Sequence, residues 1–374
     1  MANFYHYLEW RGDIAFEIDP LNEVDALIFT WLVYADMKEI VPNTPDPNGI
    51  SIEETCRAFF ETHEHHGHLN LLDSLNPPLT ATVLLDRLST CRRFKDIKMT
   101  YMIDRIDYEN PTQFAAVTFF LPDDALFIAY RGTDRTFVGW KEDCYISCQE
   151  EIPSQADALQ YLETIAAAFP NKKLIIGGHS KGGNLAAYAA IMSSPKVKER
   201  IEICYNHDGP GFPKSVLESD GYREIKPRIK KFVPQGSIVG LLFDNDRDFE
   251  IIRSDQFSFL QHNGPCWEVL GRSLVRGEEI VKSTLVFDES LTSWLDSLDN
   301  AQRRKFIDTL FSIFEKNNLK TFDDVGNNKL KTLLGIVHAA RELDPQMSGM
   351  LVKALFGLFK ARNAMSAQPK VAQD

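Results

Sequence analysis

Apolar positions change their period twice along this 374-residue chain. Up to about residue 95 they recur at helical spacing, over 24–37, 52–61 and 81–91. The Pro- and Asn-rich stretch 41–49 reads as a loop between the first two of these helices. From residue 99 the period shortens, and 99–106, 114–121 and 126–130 read as strands, the last two joined by a tight turn at Pro122-Asp123-Asp124. Helical spacing returns over 155–169, and the short apolar run Leu174-Ile175-Ile176 then suits a buried strand. Further strands are expected at 201–206, 228–233 and 249–253. Beyond about residue 290 only helices are expected, at 293–298, 301–316, 330–343 and 348–362, before a polar tail.

Strands alternating with helices predict an α/β protein with a mostly parallel sheet and helices on both faces. The changes of period suggest three segments. Residues 1–95 form an N-terminal helical extension, 96–288 an α/β core, and 289–374 a C-terminal helical appendage or cap. The length allows one elaborated domain or two smaller ones.

Composition narrows the function classes. Hydrophobic residues make up 44% and charged residues 25%, the balance of a soluble globular chain. A net charge of −12 argues against nucleic acid as a partner and against general affinity for anionic membranes. The six cysteines lack C-x-x-C spacing and read as reduced thiols, with Cys144 and Cys148 as a pair on one helical face. The first residues lack the pattern of a signal peptide, and 26–35 is too short to span a bilayer, so a cytoplasmic location is expected.

The chemistry concentrates at Gly178-His179-Ser180-Lys181-Gly182, a G-x-S-x-G between an apolar strand and an Ala- and Leu-rich helix start. Strand, tight turn and helix are what a nucleophile elbow requires, with Ser180 exposed at the carboxyl end of the sheet. A serine hydroxyl needs a base, usually an imidazole oriented by a carboxylate. Three histidines follow Ser180. His338 sits in an apolar helix pattern and His207 lies directly at the end of a strand, whereas His262 lies in a loop after the last strand and is the preferred base. The strand ending at Val233 runs into Pro234-Gln235-Gly236-Ser237 with no carboxylate, so Asp208, at the end of the preceding strand, is the candidate acid. Asp244, Asp246 and Asp255 are the fallbacks. For the oxyanion, one donor is the N–H of Lys181; the other is Thr133 in Tyr130-Arg131-Gly132-Thr133, through its N–H and its hydroxyl.

Y-R-G-T, then Trp140-x-x-Asp143, then G-H-S-K-G-G-N-L-A and a distal histidine together resemble the class 3 lipase branch of the α/β-hydrolases. In particular the chain resembles a bacterial group of lipase-like proteins without an assigned substrate, in which the V-D-A-L-I-F-T-W-L-V-Y-A-D helix and the D-G-P-G-F segment recur. The resemblance covers roughly residues 20 to 285. It implies Ser180 as nucleophile, His262 as base and Thr133 as oxyanion residue. Class 3 lipases usually place their aspartate after the strand that here ends in Val233. D-G-P-G-F is instead similar to the aspartate segment of pancreatic-type lipases, which favours Asp208. Lys181 stands where leucine is common, which implies a more polar mouth.

Two further features compete. Thr62-His-Glu-His-His-Gly-His68 carries four histidines in six positions, but no matching second set of zinc ligands follows downstream. It reads as a solvated loop cluster, with metal binding as the alternative. The apolar stripe at 347–360 reads as packing on the body of the protein, with a lid or a membrane-surface helix as the alternative. The expected activity is ester hydrolysis on Ser180 without a cofactor, acting on a small-molecule or lipid ester. A hydrolase-fold binding or regulatory protein with weak or no turnover is the alternative.

Overall fold

A computed structural model describes residues 2–62, 77–134, 136–243 and 247–321, together with Asp324 and Gly349. Helices α1 (Phe4–Arg11) and α2 (Glu23–Leu32) lead to the two-residue strand β1 (Ile50–Ser51), then α3 (Ile52–Thr62) and α4 (Pro77–Thr90). Strands β2 (Lys98–Asp107), β3 (Thr112–Leu121) and β4 (Ala125–Tyr130) form a meander. Next come α5 (Phe137–Tyr145), α6 (Pro153–Ala168), β5 (Lys173–His179), α7 (Lys181–Met192), α8 (Pro195–Lys198) and β6 (Ile201–His207). They are followed by α9 (Lys214–Leu217), α10 (Asp220–Ile225), β7 (Ile229–Pro234) and β8 (Glu250–Ile252). A small hairpin, β9 (Val269–Leu270) with β10 (Ser273–Leu274), precedes α11 (Lys282–Asp296) and α12 (Asn300–Glu315).

Among the described residues the main sheet has eight strands whose spatial order follows the chain, β1 to β8. Pairing is antiparallel from β1 to β4 and parallel from β4 to β8. Crossovers between parallel strands are right-handed almost without exception. When strand order never reverses, they therefore all fall on one face. Here α6, α7 and α10 do share one apolar cluster, with Leu126, Ile128, Tyr130, Leu174, Ile176 and Cys204 of the strands. Alternate side chains point the other way. Phe127, Ala129, Ile175, Tyr205 and Phe232 pack with α1, α2, α3 and α4. Residues 1–95 thus supply the layer that the crossovers cannot, and the protein has the α/β-hydrolase fold.

That layer is pinned by a buried ion pair. Asn22 caps α2, its Oδ1 accepting from the N–H groups of Val24 and Asp25 at 3.0 and 3.2 Å. Asp25 in turn accepts from the Asn22 N–H at 3.0 Å, and also receives Arg93 at 2.5 Å and the Tyr7 hydroxyl at 2.7 Å. The guanidinium also donates to the carbonyls of Ile14 and Asp19 and lies 3.9 Å over the Phe16 ring.

Several boundaries differ from expectation. Helix α2 stops at Leu32, and Tyr34 and Ala35 continue in tight bonds to Trp31 and Leu32 that end the helix. The apolar run persists to residue 37 because this turn is itself buried. Helix α5 is signalled in the sequence only by the expected Cys144–Cys148 face, since it buries Lys141 and Glu142 beside Phe137 and Val138 and so shows no amphipathic period. It ends at Tyr145, so Cys144 and Cys148 do not share a helical face. Helix α11 begins well before the expected residue 293, because Val286 and Phe287 on it are exposed and blur its pattern. The expected helices at 330–343 and 348–362 lie outside the described residues except for Gly349. Among the described residues, no helix is long and apolar enough to cross a membrane.

Candidate active site

Strands β5 and β6 run parallel with His179 opposite His207. The next residue of each, Ser180 and Asp208, therefore leaves the sheet at its carboxyl edge beside the other. Both adopt positive φ, 59° at Ser180 and 56° at Asp208, a conformation costly for a side chain with a Cβ. At the elbow the strain is held by contact. A Cβ on Gly178 would lie 2.1 Å from the Gly182 carbonyl, so glycine lets α7 close onto β5. The Ser180 N–H donates to the His207 carbonyl at 2.9 Å, tying the elbow to β6.

The structure brings Asp208 and His262 together. His262 Nδ1 lies 2.6 Å from Asp208 Oδ2. A proton on Nδ1, drawn there by the carboxylate, leaves Nε2 with its lone pair free for a hydroxyl proton. The Asp208 side chain is buried, that of His262 24% exposed, so the acid is shielded while the imidazole meets incoming molecules. Asp208 also accepts from the Ser237 hydroxyl. Ser237 occupies the segment after β7 where the class 3 pattern carries its aspartate, and here that segment donates to the carboxylate on the neighbouring strand. A serine in a Pro-Gln-Gly-Ser turn carries no sequence signal for this role.

His179 supports the histidine loop from below. Its Nε2 lies 2.7 Å from the His262 carbonyl, and its Nδ1 lies 3.1 Å from the Tyr34 hydroxyl. Burial holds its pKa well below the usual histidine range, so the ring is neutral and donates from Nε2 only. His207 is a core residue: its Nδ1 lies 3.1 Å from Thr30 Oγ1, and burial pushes its pKa down to about 3. Among the fallback acids, Asp255 is an exposed loop residue, and Asp244 and Asp246 lie outside the described residues, as do His338 and the histidine cluster at 63–68.

The Arg131-Gly132-Thr133 segment passes over the elbow. A Cβ on Gly132 would stand 2.2 Å from the Tyr34 hydroxyl, 2.5 Å from the His179 carbonyl and 2.9 Å from Ser180 Cβ, so only glycine admits this approach. Arg131 pairs with Asp104 through two bonds of 2.5 and 2.8 Å, which anchors the strand end. The Thr133 hydroxyl donates to Asp143 Oδ2 at 2.5 Å. Its single proton is thereby committed, which leaves the main-chain N–H as the Thr133 group for the expected oxyanion role. The Lys181 N–H, at the first position of α7, has no acceptor within the helix.

The Lys181 side chain corrects the expectation of a polar mouth. It is 1% exposed and turns inward, with Nζ 2.8 Å from Glu142 Oε2 and 2.9 Å from the Gln113 carbonyl. A buried carboxylate sites this ammonium inside the protein. Burial raises Asp143 from an ordinary 3.8 to about 6, against the pull of Lys181. The folded state therefore binds this proton more tightly than the unfolded chain. Its stabilising contribution is complete below the unfolded value and is lost as pH rises through about 6. The stability of wild type relative to Asp143→Asn should accordingly fall as pH rises from about 4 to about 7, as read by denaturant unfolding at each pH. A flat difference would show that Asp143 has an ordinary carboxylate pKa.

Among solved structures, the chain is similar to a Rhizomucor miehei lipase in its propeptide complex, at 13% identity, covering 65% of this chain and 82% of that one with a TM-score of 0.37. It is also similar to a nonglycosylated Yarrowia lipolytica LIP2 lipase, at 9% identity, covering 70% and 85% with a TM-score of 0.38. Clathrin heavy chains 1 and 2 of Oryza sativa subsp. japonica match at 27% identity over 172 residues, 46% of this chain. The chain spans only 9% of their length. The Mbeg1-like family model matches residues 88–312, more than half of the 374 residues, and the chain belongs to the Mbeg1-like family.

Proposed function

We propose that the protein is a serine hydrolase that cleaves a carboxylic ester through an acyl-enzyme on Ser180. The observation that carries this reading is the 2.6 Å bond from His262 to the buried Asp208, set beside the strained Ser180 elbow. In the proposed reaction His262 Nε2 takes the Ser180 proton as Oγ attacks the carbonyl. The imidazolium so formed is stabilised by Asp208 and returns its proton to the leaving alcohol. Water, activated by the same nitrogen, then releases the acid. The main-chain N–H groups of Lys181 and Thr133 receive the negative charge that develops on the carbonyl oxygen. No cofactor enters this scheme.

The proposed substrate is a small-molecule or lipid ester, and the proposed location is the cytoplasm, with peripheral membrane contact if the ester is a lipid. The resemblance of the elbow and the Arg-Gly-Thr segment to class 3 lipases supports an acyl ester over other electrophiles. A fluorophosphonate probe tests the assignment directly. Wild type should be labelled at Ser180 and Ser180→Ala should not be, while p-nitrophenyl esters of graded acyl length report the preferred chain. Folded wild-type protein that resists the probe would rule the reading out.

A further inference from the structure

Glu142 and Lys181 are the most completely buried ion pair near the elbow, with side chains 0% and 1% exposed. Glu142 is fully committed. Its Oε2 accepts from the Gln113 N–H at 2.9 Å as well as from Lys181, and its Oε1 accepts from the Ser154 N–H at 2.9 Å. Lys181 reaches further, to Asp143 Oδ1 at 3.6 Å. That oxygen has no hydrogen-bond partner, while the other oxygen of Asp143 holds the Thr133 hydroxyl.

We infer that Lys181 is a positioning residue of the oxyanion hole: it carries one donor on its main chain and, through Asp143, fixes the residue that carries the other. This rests on the reading of Thr133 and Lys181 as oxyanion donors. The physical reason is charge. Burial works against ionised Asp143, Glu142 adds like charge beside it, and Lys181 is the strongest group favouring the carboxylate. Of the other titratable groups nearby, Cys144 and Tyr34 are pushed further toward their neutral forms by Asp143, and Asp134 adds negative charge near Lys181. Arg131 is taken by Asp104. With Lys181 in place Asp143 remains an acceptor near neutral pH, and the Thr133 side chain keeps one orientation. Glu142 is the counter-ion that lets an ammonium occupy this interior.

The test is a double-mutant cycle. Lys181→Met with Glu142→Gln removes both charges together, so neither is left buried alone. This pair variant should lower kcat for a p-nitrophenyl ester about tenfold with little change in KM, less than deleting an oxyanion donor outright. In a Thr133→Ala background the same pair should cost nothing more. An equal loss in both backgrounds, or no loss in either, overturns the inference. The ionisation of Asp143 gives a readout apart from turnover. In protein labelled with carboxyl-13C aspartate, the Asp143 signal, identified by its loss in Asp143→Asn, should titrate at higher pH in the pair variant. An unmoved midpoint also overturns the inference. If wild type shows no Ser180-dependent turnover, the hydrolase reading fails on its own and the midpoint decides the role of Lys181. Should the pair variant not fold, Asp143→Asn cuts the link itself and must lower kcat with Thr133 present but not in Thr133→Ala.

Discussion

Ester hydrolysis by His262→Ala should fall about 10⁵- to 10⁶-fold in kcat, and Ser180→Ala should match it. In the proposed mechanism the two residues act as one unit. Without the imidazole the hydroxyl keeps its proton, and without the hydroxyl the imidazole has nothing to activate. The double variant should therefore be no slower than either single one. Asp208→Asn should cost about 10⁴-fold, because an amide that donates to Nδ1 would turn the ring to the tautomer whose Nε2 carries hydrogen. Ser237 sharpens this expectation, since its hydroxyl donates to the same carboxylate oxygen and helps keep it an acceptor. Burst kinetics with a p-nitrophenyl ester would separate acylation from deacylation. Retention of activity within tenfold of wild type in His262→Ala would show that another group is the base. His207 is not available for that role, being buried and engaged with Thr30.

Unfolding of Asp25→Ala should require about 3–5 kcal/mol less than wild type, far more than a surface substitution would cost. The loss has two parts. Arg93, itself unexposed, would remain in the interior without its counter-ion, and the Asn22 N–H would lose its capping partner. Burial raises the Asp25 carboxyl even with Arg93 against it. Urea denaturation followed by circular dichroism would measure the loss. Replacing Asp25 and Arg93 together with apolar residues of similar volume should recover much of it, because breaking such a pair costs more than removing it. A loss below about 1 kcal/mol for Asp25→Ala would mean that the N-terminal layer is held by its apolar contacts alone.

The strands from 99 to 130 and the elbow were legible because each combines a period-two or continuous apolar run with a turn signal, and these act locally. The pairing of Asp208 with His262 joins positions 54 residues apart, and pattern alone could only set Asp208 at the right sheet edge. The sequence offered less at α5. Lysine and glutamate are seldom buried, yet Lys141 and Glu142 both are, one against Glu315 and the other against Lys181. The Lys181 side chain misled for the same reason. A lysine after the serine suggests a polar surface, and only the presence of a buried Glu142 reverses that. Charges paired inside a protein cannot be told from exposed ones by their spacing.

The order of the sheet also bears on how the chain is made. Because each strand from β1 to β8 lies beside its predecessor in sequence, a chain emerging from the ribosome can extend the sheet by one edge at a time. No strand has to wait for a distant partner or insert between two already joined. Helices α1 to α4 leave the ribosome before β2, so the cover for one apolar face is present before that face exists. N-terminal segments emerge first during synthesis, and unpaired strand edges make incompletely folded chains prone to aggregate. Here the growing edge at any moment is the edge the next strand will fill.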